Sequence, residues 1–136
     1  MIYYAIIDTN VLVSALISRE SDSATVLLVA RMIAGEIVPV YSDEIMEEYR
    51  NVLNRKKFRF DPSRISILLS AIKIYGIKVK PSDSDILLPD PKDLPFYEVV
   101  LEKREDNAYL VTGNLKHFPV KPFIVTPRQM LEIMDS

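Results

Sequence analysis

The hexapeptide Ile2-Tyr3-Tyr4-Ala5-Ile6-Ile7 constrains this chain more than any other stretch. It reads as a buried strand that stops on Asp8-Thr9-Asn10 and gives way at once to the apolar Val11-Leu12-Val13-Ser14-Ala15-Leu16-Ile17. A strand followed directly by an apolar helix is the opening unit of an open α/β sheet. In such sheets ligands bind in the crevice beyond the carboxyl ends of the strands, where loops and helix N-termini converge. Asp8 is therefore a site candidate by position. It is equally a candidate cap for the helix behind it, since Asp, Thr and Asn all accept hydrogen bonds from first-turn N–H groups.

The rest of the chain repeats this alternation. Ser23 to Ala34 reads as a helix closed by Gly35, and Ile37–Tyr41 as a short strand. Ser42 is the expected N-cap of a third helix, with Asp43 and Glu44 in its first turn and Arg55-Lys56-Lys57 at its far end. Asp61-Pro62-Ser63 starts a fourth helix with Ile65, Leu68, Leu69 and Ile72 on its apolar face; Gly76 ends it before the strand Ile77-Lys78-Val79. A loop from Lys80 to Asp93 leads to a fifth helix. Strands at Tyr109–Thr112 and Phe123–Val125 follow, with a closing helix begun by Thr126-Pro127. The expected fold is a three-layer α/β/α domain with a central, mainly parallel sheet.

At 136 residues, 49% of them hydrophobic, the chain has material for one sizeable core and too little for two ordinary domains, so residues 1–136 are expected to form a single domain. No cysteine is present, which excludes disulfides and thiolate metal sites. The N-terminus lacks a signal-peptide layout and no apolar run reaches spanning length, so the expected location is cytoplasmic, with no membrane partner. The net charge of −2 supplies no global attraction for nucleic acid, and any such binding has to come from a local patch.

The acids fall at informative places. At about 100° per residue, Ile45, Met46, Tyr49, Val52 and Leu53 share one arc of the third helix, and Glu48 lies at its edge. Glu47 points the opposite way and is expected in solvent. Asp90-Pro91-Lys92-Asp93-Leu94-Pro95 sets two aspartates at a helix entrance, one a cap and the other, or the same one through its second oxygen, free to coordinate a hard cation, with the roles undivided. Gly113-Asn114 lies beyond another strand end, where Thr112 and Asn114 bind substrate or close the turn. Asn10 joins them as a candidate substrate contact. Carboxylates with one histidine and no cysteine suit magnesium or manganese rather than zinc, and the matching chemistry is metal-assisted phosphodiester hydrolysis.

In Asp8-Thr9-Asn10-Val11-Leu12-Val13-Ser14-Ala15, Ser42-Asp43-Glu44-Ile45-Met46-Glu47-Glu48-Tyr49, Asp90 to Glu98 and Leu110-Val111-Thr112-Gly113-Asn114, in that order, the chain resembles the PIN-domain ribonucleases. Within them it resembles the toxin components of toxin–antitoxin pairs related to VapC. The resemblance implies a PIN-like fold, an Mg2+- or Mn2+-dependent endoribonuclease and an acidic quartet on Asp8, Glu48, Asp93 and the position of Asn114. Many relatives carry a fourth aspartate there. The amide of Asn114 removes one negative charge and implies weaker metal affinity, with Asp90 in reserve as a ligand and Glu98 behind it. Implied partners are RNA, a cognate antitoxin protein and a second copy of the chain.

For RNA, Arg55-Lys56-Lys57-Phe58-Arg59-Phe60 interleaves cations with aromatics, which suits phosphate contact and base stacking. Arg55, Lys57 and, just beyond Asn114, Lys116-His117 are the expected phosphate contacts; His117 is given no catalytic role. The same basic run equally suits a charged helix end with its phenylalanines in the core. Two rival functions remain: a catalytically weak PIN domain that holds RNA or protein, and a phosphotransferase with Asp8 as nucleophile. Asn10, standing where the second needs another aspartate, counts against it.

Overall fold

In a computed structural model describing residues 1–136, β1 (Tyr3–Ile7) lies at the centre of a five-stranded sheet. The other strands are β2 (Ile37–Tyr41), β3 (Ile77–Lys78), β4 (Tyr109–Val111) and β5 (Ile124–Val125), in the order β3-β2-β1-β4-β5 with every pairing parallel. Six helices connect or follow them: α1 (Thr9–Ile17), α2 (Ala24–Ile33), α3 (Asp43–Leu53), α4 (Pro62–Tyr75), α5 (Leu94–Glu102) and α6 (Pro127–Asp135). The expected α/β/α layering with a parallel sheet is what the chain forms.

The chain winds from β1 to β2 to β3 in one direction, then crosses back to lay β4 on the other side of β1. Right-handed crossovers running in opposite directions put their helices on opposite faces of a sheet. Accordingly α5 packs over β1, β2 and β4, while α2 packs against β2, α4 and α6. The reversal between β1 and β4 opens a crevice at their carboxyl ends. Register puts Ile7 beside Val111, so Asp8 and Thr112 emerge next to each other from adjacent strands.

Local chemistry sets the element ends. Ser23 accepts from the Val26 N–H, Ser42 from Ile45 and Asp61 from Ser63, while Thr126 and Gln129 form a reciprocal capping box. Gly76 is required by space: a Cβ there would lie 2.2 Å from the Ile72 carbonyl oxygen and 2.6 Å from that of Pro39. This close approach lets the chain leave α4 directly into β3. A core of 30 buried residues, Ile6, Leu12, Ile37, Tyr49, Phe96 and Leu110 among them, fills the space around the sheet. No helix is long and apolar enough to cross a membrane.

Some boundaries differ from expectation. Ile2 is exposed outside β1, and Thr112 stands one residue past β4. Val79 lies beyond β3, although its N–H still donates to the Tyr41 carbonyl at 2.8 Å. The fifth helix is entered through a single 3-10 turn, Pro91–Asp93. α3 stops at Leu53, so Arg55-Lys56-Lys57 occupies the following turn and the cation in the last helical turn is Arg50.

Candidate active site

Asp8 is only 5% exposed although it ends a strand. Its N–H donates to the Val111 carbonyl at 2.9 Å, which locks its backbone into the sheet. Its side chain does not cap α1, so the capping role is not the one it plays. The carboxylate instead accepts from the Thr112 hydroxyl at 2.7 Å and, more weakly, from the Asn10 amide at 3.4 Å. Thr112 Oγ1 in turn accepts the Asn114 N–H at 3.0 Å, which directs its own proton at Asp8.

Glu48 reaches the same place from α3. It is half-buried, as the helical periodicity predicts, while Glu47 is exposed. The Thr9 hydroxyl donates to Glu48 Oε2. The neighbouring Tyr49 secures the geometry: its hydroxyl donates to the Ile7 carbonyl at 2.5 Å and its ring packs 6.2 Å from that of Phe96. Full burial, with Asp8 and Glu48 nearby, holds the Tyr49 phenol well above its usual pKa, so it remains a neutral donor.

The two aspartates at the α5 entrance divide their roles. Asp90 Oδ1 accepts the Lys92 N–H at 2.9 Å and is the cap; Asp93 turns inward and meets His117 Nδ1 at 3.0 Å. His117 sits in a short 3-10 turn, Leu115–His117, whose next residue, Phe118, stacks on Tyr97 of α5 at 6.4 Å. The loop after β4 is thus clamped to α5 by one polar and one apolar contact.

Burial raises the pKa of Asp8, Glu48 and Asp93 alike, and each feels another member of the set. For Asp8, burial comes first; the Thr112 hydrogen bond offsets it and the Asp93 charge adds to it. For Glu48, burial is opposed by the Thr9 hydroxyl and by the charges of Lys92 and Arg55, and reinforced by Asp8. For Asp93, burial is opposed by His117 and reinforced by Asp90 and Glu48. Three anions held within electrostatic reach, two of them tied to hydroxyls and one to a histidine, form an oxygen donor set that a hard divalent cation relieves.

No three Asp, Glu or His side chains come close enough to share one ion directly. The arrangement therefore fits an ion held by one or two carboxylates with waters completing its shell, which is how magnesium is usually bound.

The other candidate residues are placed as follows. Of the two roles open to Thr112, substrate contact or closure of the turn, its fully buried hydroxyl takes the second, accepting the Asn114 N–H while it orients Asp8. Asn10 bridges the Gly113 N–H at 3.3 Å and Asp8, so much of its bonding is internal. Asn114 is exposed and supports Asp8 only through its backbone N–H on Thr112; Asp90 uses one of its two oxygens for capping. Glu98 accepts the Ser84 N–H at 2.5 Å, which fixes the preceding loop and leaves the site without it. Arg55, Lys57 and Lys116 are all exposed; Phe58 and Phe60 stack on each other at 5.1 Å, with Lys57 over the Phe58 ring. From sequence alone Lys92 had no role, Thr9 was only a possible cap and His117 only a possible phosphate contact, so their contacts with the acids were missed. A hydroxyl directly after the strand-end aspartate was the available signal for Thr9. Only His117's place three residues after Asn114 pointed to it.

A family model of the PIN domain matches residues 4–116, a span that contains all four positions of the expected quartet. The chain belongs to the PIN-domain family. PIN domains are generally nucleases, and those nucleases generally work with divalent metal ions. In this PIN domain the acids gather at the β1/β4 crevice, and His117 lies one residue beyond the matched span. No curated protein matches the sequence.

Proposed function

We propose that this PIN domain is an Mg2+- or Mn2+-dependent endoribonuclease that hydrolyses RNA phosphodiester bonds. The observation that carries the reading is the convergence of Asp8, Glu48 and Asp93 from three separate elements, each raising the pKa of another. In this reading one or two of Asp8, Glu48 and Asp93 bind the ion directly and the rest of the set, with Asp90 and Asn114, reach it through water. The ion, when bound, lowers the pKa of water and neutralises charge on the phosphate.

The chain's own groups do the rest. Thr112 and Thr9 hold the carboxylates of Asp8 and Glu48 in place, and His117 does the same for Asp93. Arg55, Lys57 and Lys116 meet the RNA phosphates, and the stacked Phe58 and Phe60 offer an aromatic face beside them. Lys92, whose charge already bears on Glu48, is a further phosphate contact at the α5 entrance.

By its resemblance to VapC-like proteins, the domain acts as the toxin of a toxin–antitoxin pair, is restrained by a cognate antitoxin and pairs with a second copy. A neighbouring reading frame that encodes a small binding partner tests the restraint. A solution mass limited to monomer at high concentration removes the homodimer. A second reading, a catalytically weak module that holds RNA, is favoured by the absence of three directly converging ligands and by Asn114.

The deciding experiment is cleavage of a mixed RNA by the purified protein with Mg2+ or Mn2+, beside chelator and the Asp8→Asn variant. Cleavage lost in both controls supports the nuclease. Metal binding without cleavage favours the holding module.

A further inference from the structure

Beside the acids lies a second concavity that the hydrolysis itself does not use. It is lined by Asn10, Val11, Ser14, Thr25, Gly113 and Asn114, where the first turns of α1, the start of α2 and the loop after β4 meet. At about 240 Å³ it falls below the ~300–1,000 Å³ of ordinary small-molecule pockets, so it takes a part of a larger ligand rather than a free one. Asn10 belongs both to this groove and to the Asp8 hydrogen-bond set, so the two are continuous.

Its chemistry is specific in one respect. The polar groups are two amides and two hydroxyls, and no lysine, arginine, aspartate or glutamate lines it. A phosphate-binding surface needs cations. Amides and hydroxyls both donate and accept, which suits the uncharged edge of a base or the 2′-hydroxyl of a ribose. The Ser14 and Thr25 hydroxyls lie 3.3 Å apart across the two helices, so a ligand hydroxyl or amide can displace their mutual contact with bonds to both.

Gly113 supplies an independent observation. Its backbone is outside the left-handed region, and a Cβ added there would meet nothing nearer than Asn10 Oδ1 at 3.6 Å. Neither backbone conformation nor crowding within the chain demands glycine. The missing side chain leaves open space in the wall of the groove beside Asp8.

We propose that this neutral groove is the subsite for the nucleoside adjoining the scissile phosphate, with Ser14, Thr25 and Asn114 reading its uncharged hydrogen-bonding edge. This rests on the nuclease reading above and adds the feature by which the protein selects among RNA sites or between RNA and DNA.

The test measures binding of a fluorescein-labelled random decamer RNA, and of the matching DNA, to the full chain with Mg2+ in the Asp8→Asn background, where the strand stays intact. Thr25→Val and Gly113→Val are compared with that parent, and Gly113→Ala serves as the milder replacement. Melting temperature and Mn2+ affinity are measured for the same substitutions made singly in the chain that keeps Asp8. Thr25→Val should weaken RNA about 3- to 10-fold, the worth of one hydrogen bond. Gly113→Val should weaken it at least as much, with melting temperature and Mn2+ affinity unchanged. A loss confined to RNA assigns the ribose hydroxyl, and an equal loss on DNA assigns the base edge. RNA affinity that survives in all three variants overturns the subsite alone. A parent that binds no RNA overturns the nuclease reading and the subsite with it.

Discussion

At Asp8 the fold works against its own stability. The Asp8, Glu48 and Asp93 carboxyls all have folded-state pKa values above their ordinary ones, with burial the first cause in each. A carboxyl raised in this way stabilises the fold fully below its unfolded pKa, and that contribution is lost as pH rises through the folded value. At pH 7 the three charges are therefore a net load. Asp8→Asn keeps an oxygen for the Thr112 hydroxyl and removes one charge, so it should raise the thermal midpoint at pH 7, with the gain shrinking toward pH 4. The same variant should lower metal-dependent cleavage by more than about 100-fold, beyond the range typical of outer ligands. Thermal melts across pH and initial rates check the two halves. His117 orients Asp93 from 3.0 Å, and in the proposed metal site it acts through that carboxylate. His117→Ala should lower Mn2+ affinity about 10-fold, and His117→Gln, which keeps a donor, should recover most of it by titration calorimetry.

Among the elements, α3 does most to build the site, because a single turn carries both Glu48 and Tyr49. The Tyr49 hydroxyl fastens α3 to the end of β1, and its ring meets α5 through Phe96. Tyr49→Phe keeps the ring and leaves the buried Ile7 carbonyl without this donor. It should cost about 1–3 kcal/mol of stability, read as a lower denaturant midpoint at unchanged slope, and should reduce turnover through the displaced Glu48. This helix was well described by its own residues: an apolar arc at helical spacing places Glu48 at the boundary and Glu47 in water. The α5 entrance was not, since Asp90 and Asp93 carry the same carboxylate and both suit a cap. Which of them turns inward depends on His117, which is 24 positions from Asp93.

For the whole molecule, the order β3-β2-β1-β4-β5 decides everything at the site, because the return of the chain past β1 brings Thr112 against Asp8. The proposed function makes the repelling acids a receptor for a divalent cation. An ion that binds only the folded chain should add about 2.7 kcal/mol at a hundredfold excess over its dissociation constant. Mn2+ should accordingly raise the melting temperature of the wild type, whereas Asp8→Asn should show little of that rise. Differential scanning calorimetry with and without chelator checks this.

The sequence by itself determined the element types, the Ser42 cap, the parallel α/β class and the inward glutamate. Each depends on hydrophobic period or on hydrogen bonds a few residues long. Only the tertiary structure decided that Asp93 and not Asp90 faces Asp8, that Thr112 is an internal support, and that Glu98 is occupied by a loop. Those roles follow from which strand ends lie side by side, and that adjacency joins Asp8 to a residue 104 positions away. No local pattern encodes such a contact, because its hydrogen bond forms only after the sheet has been assembled.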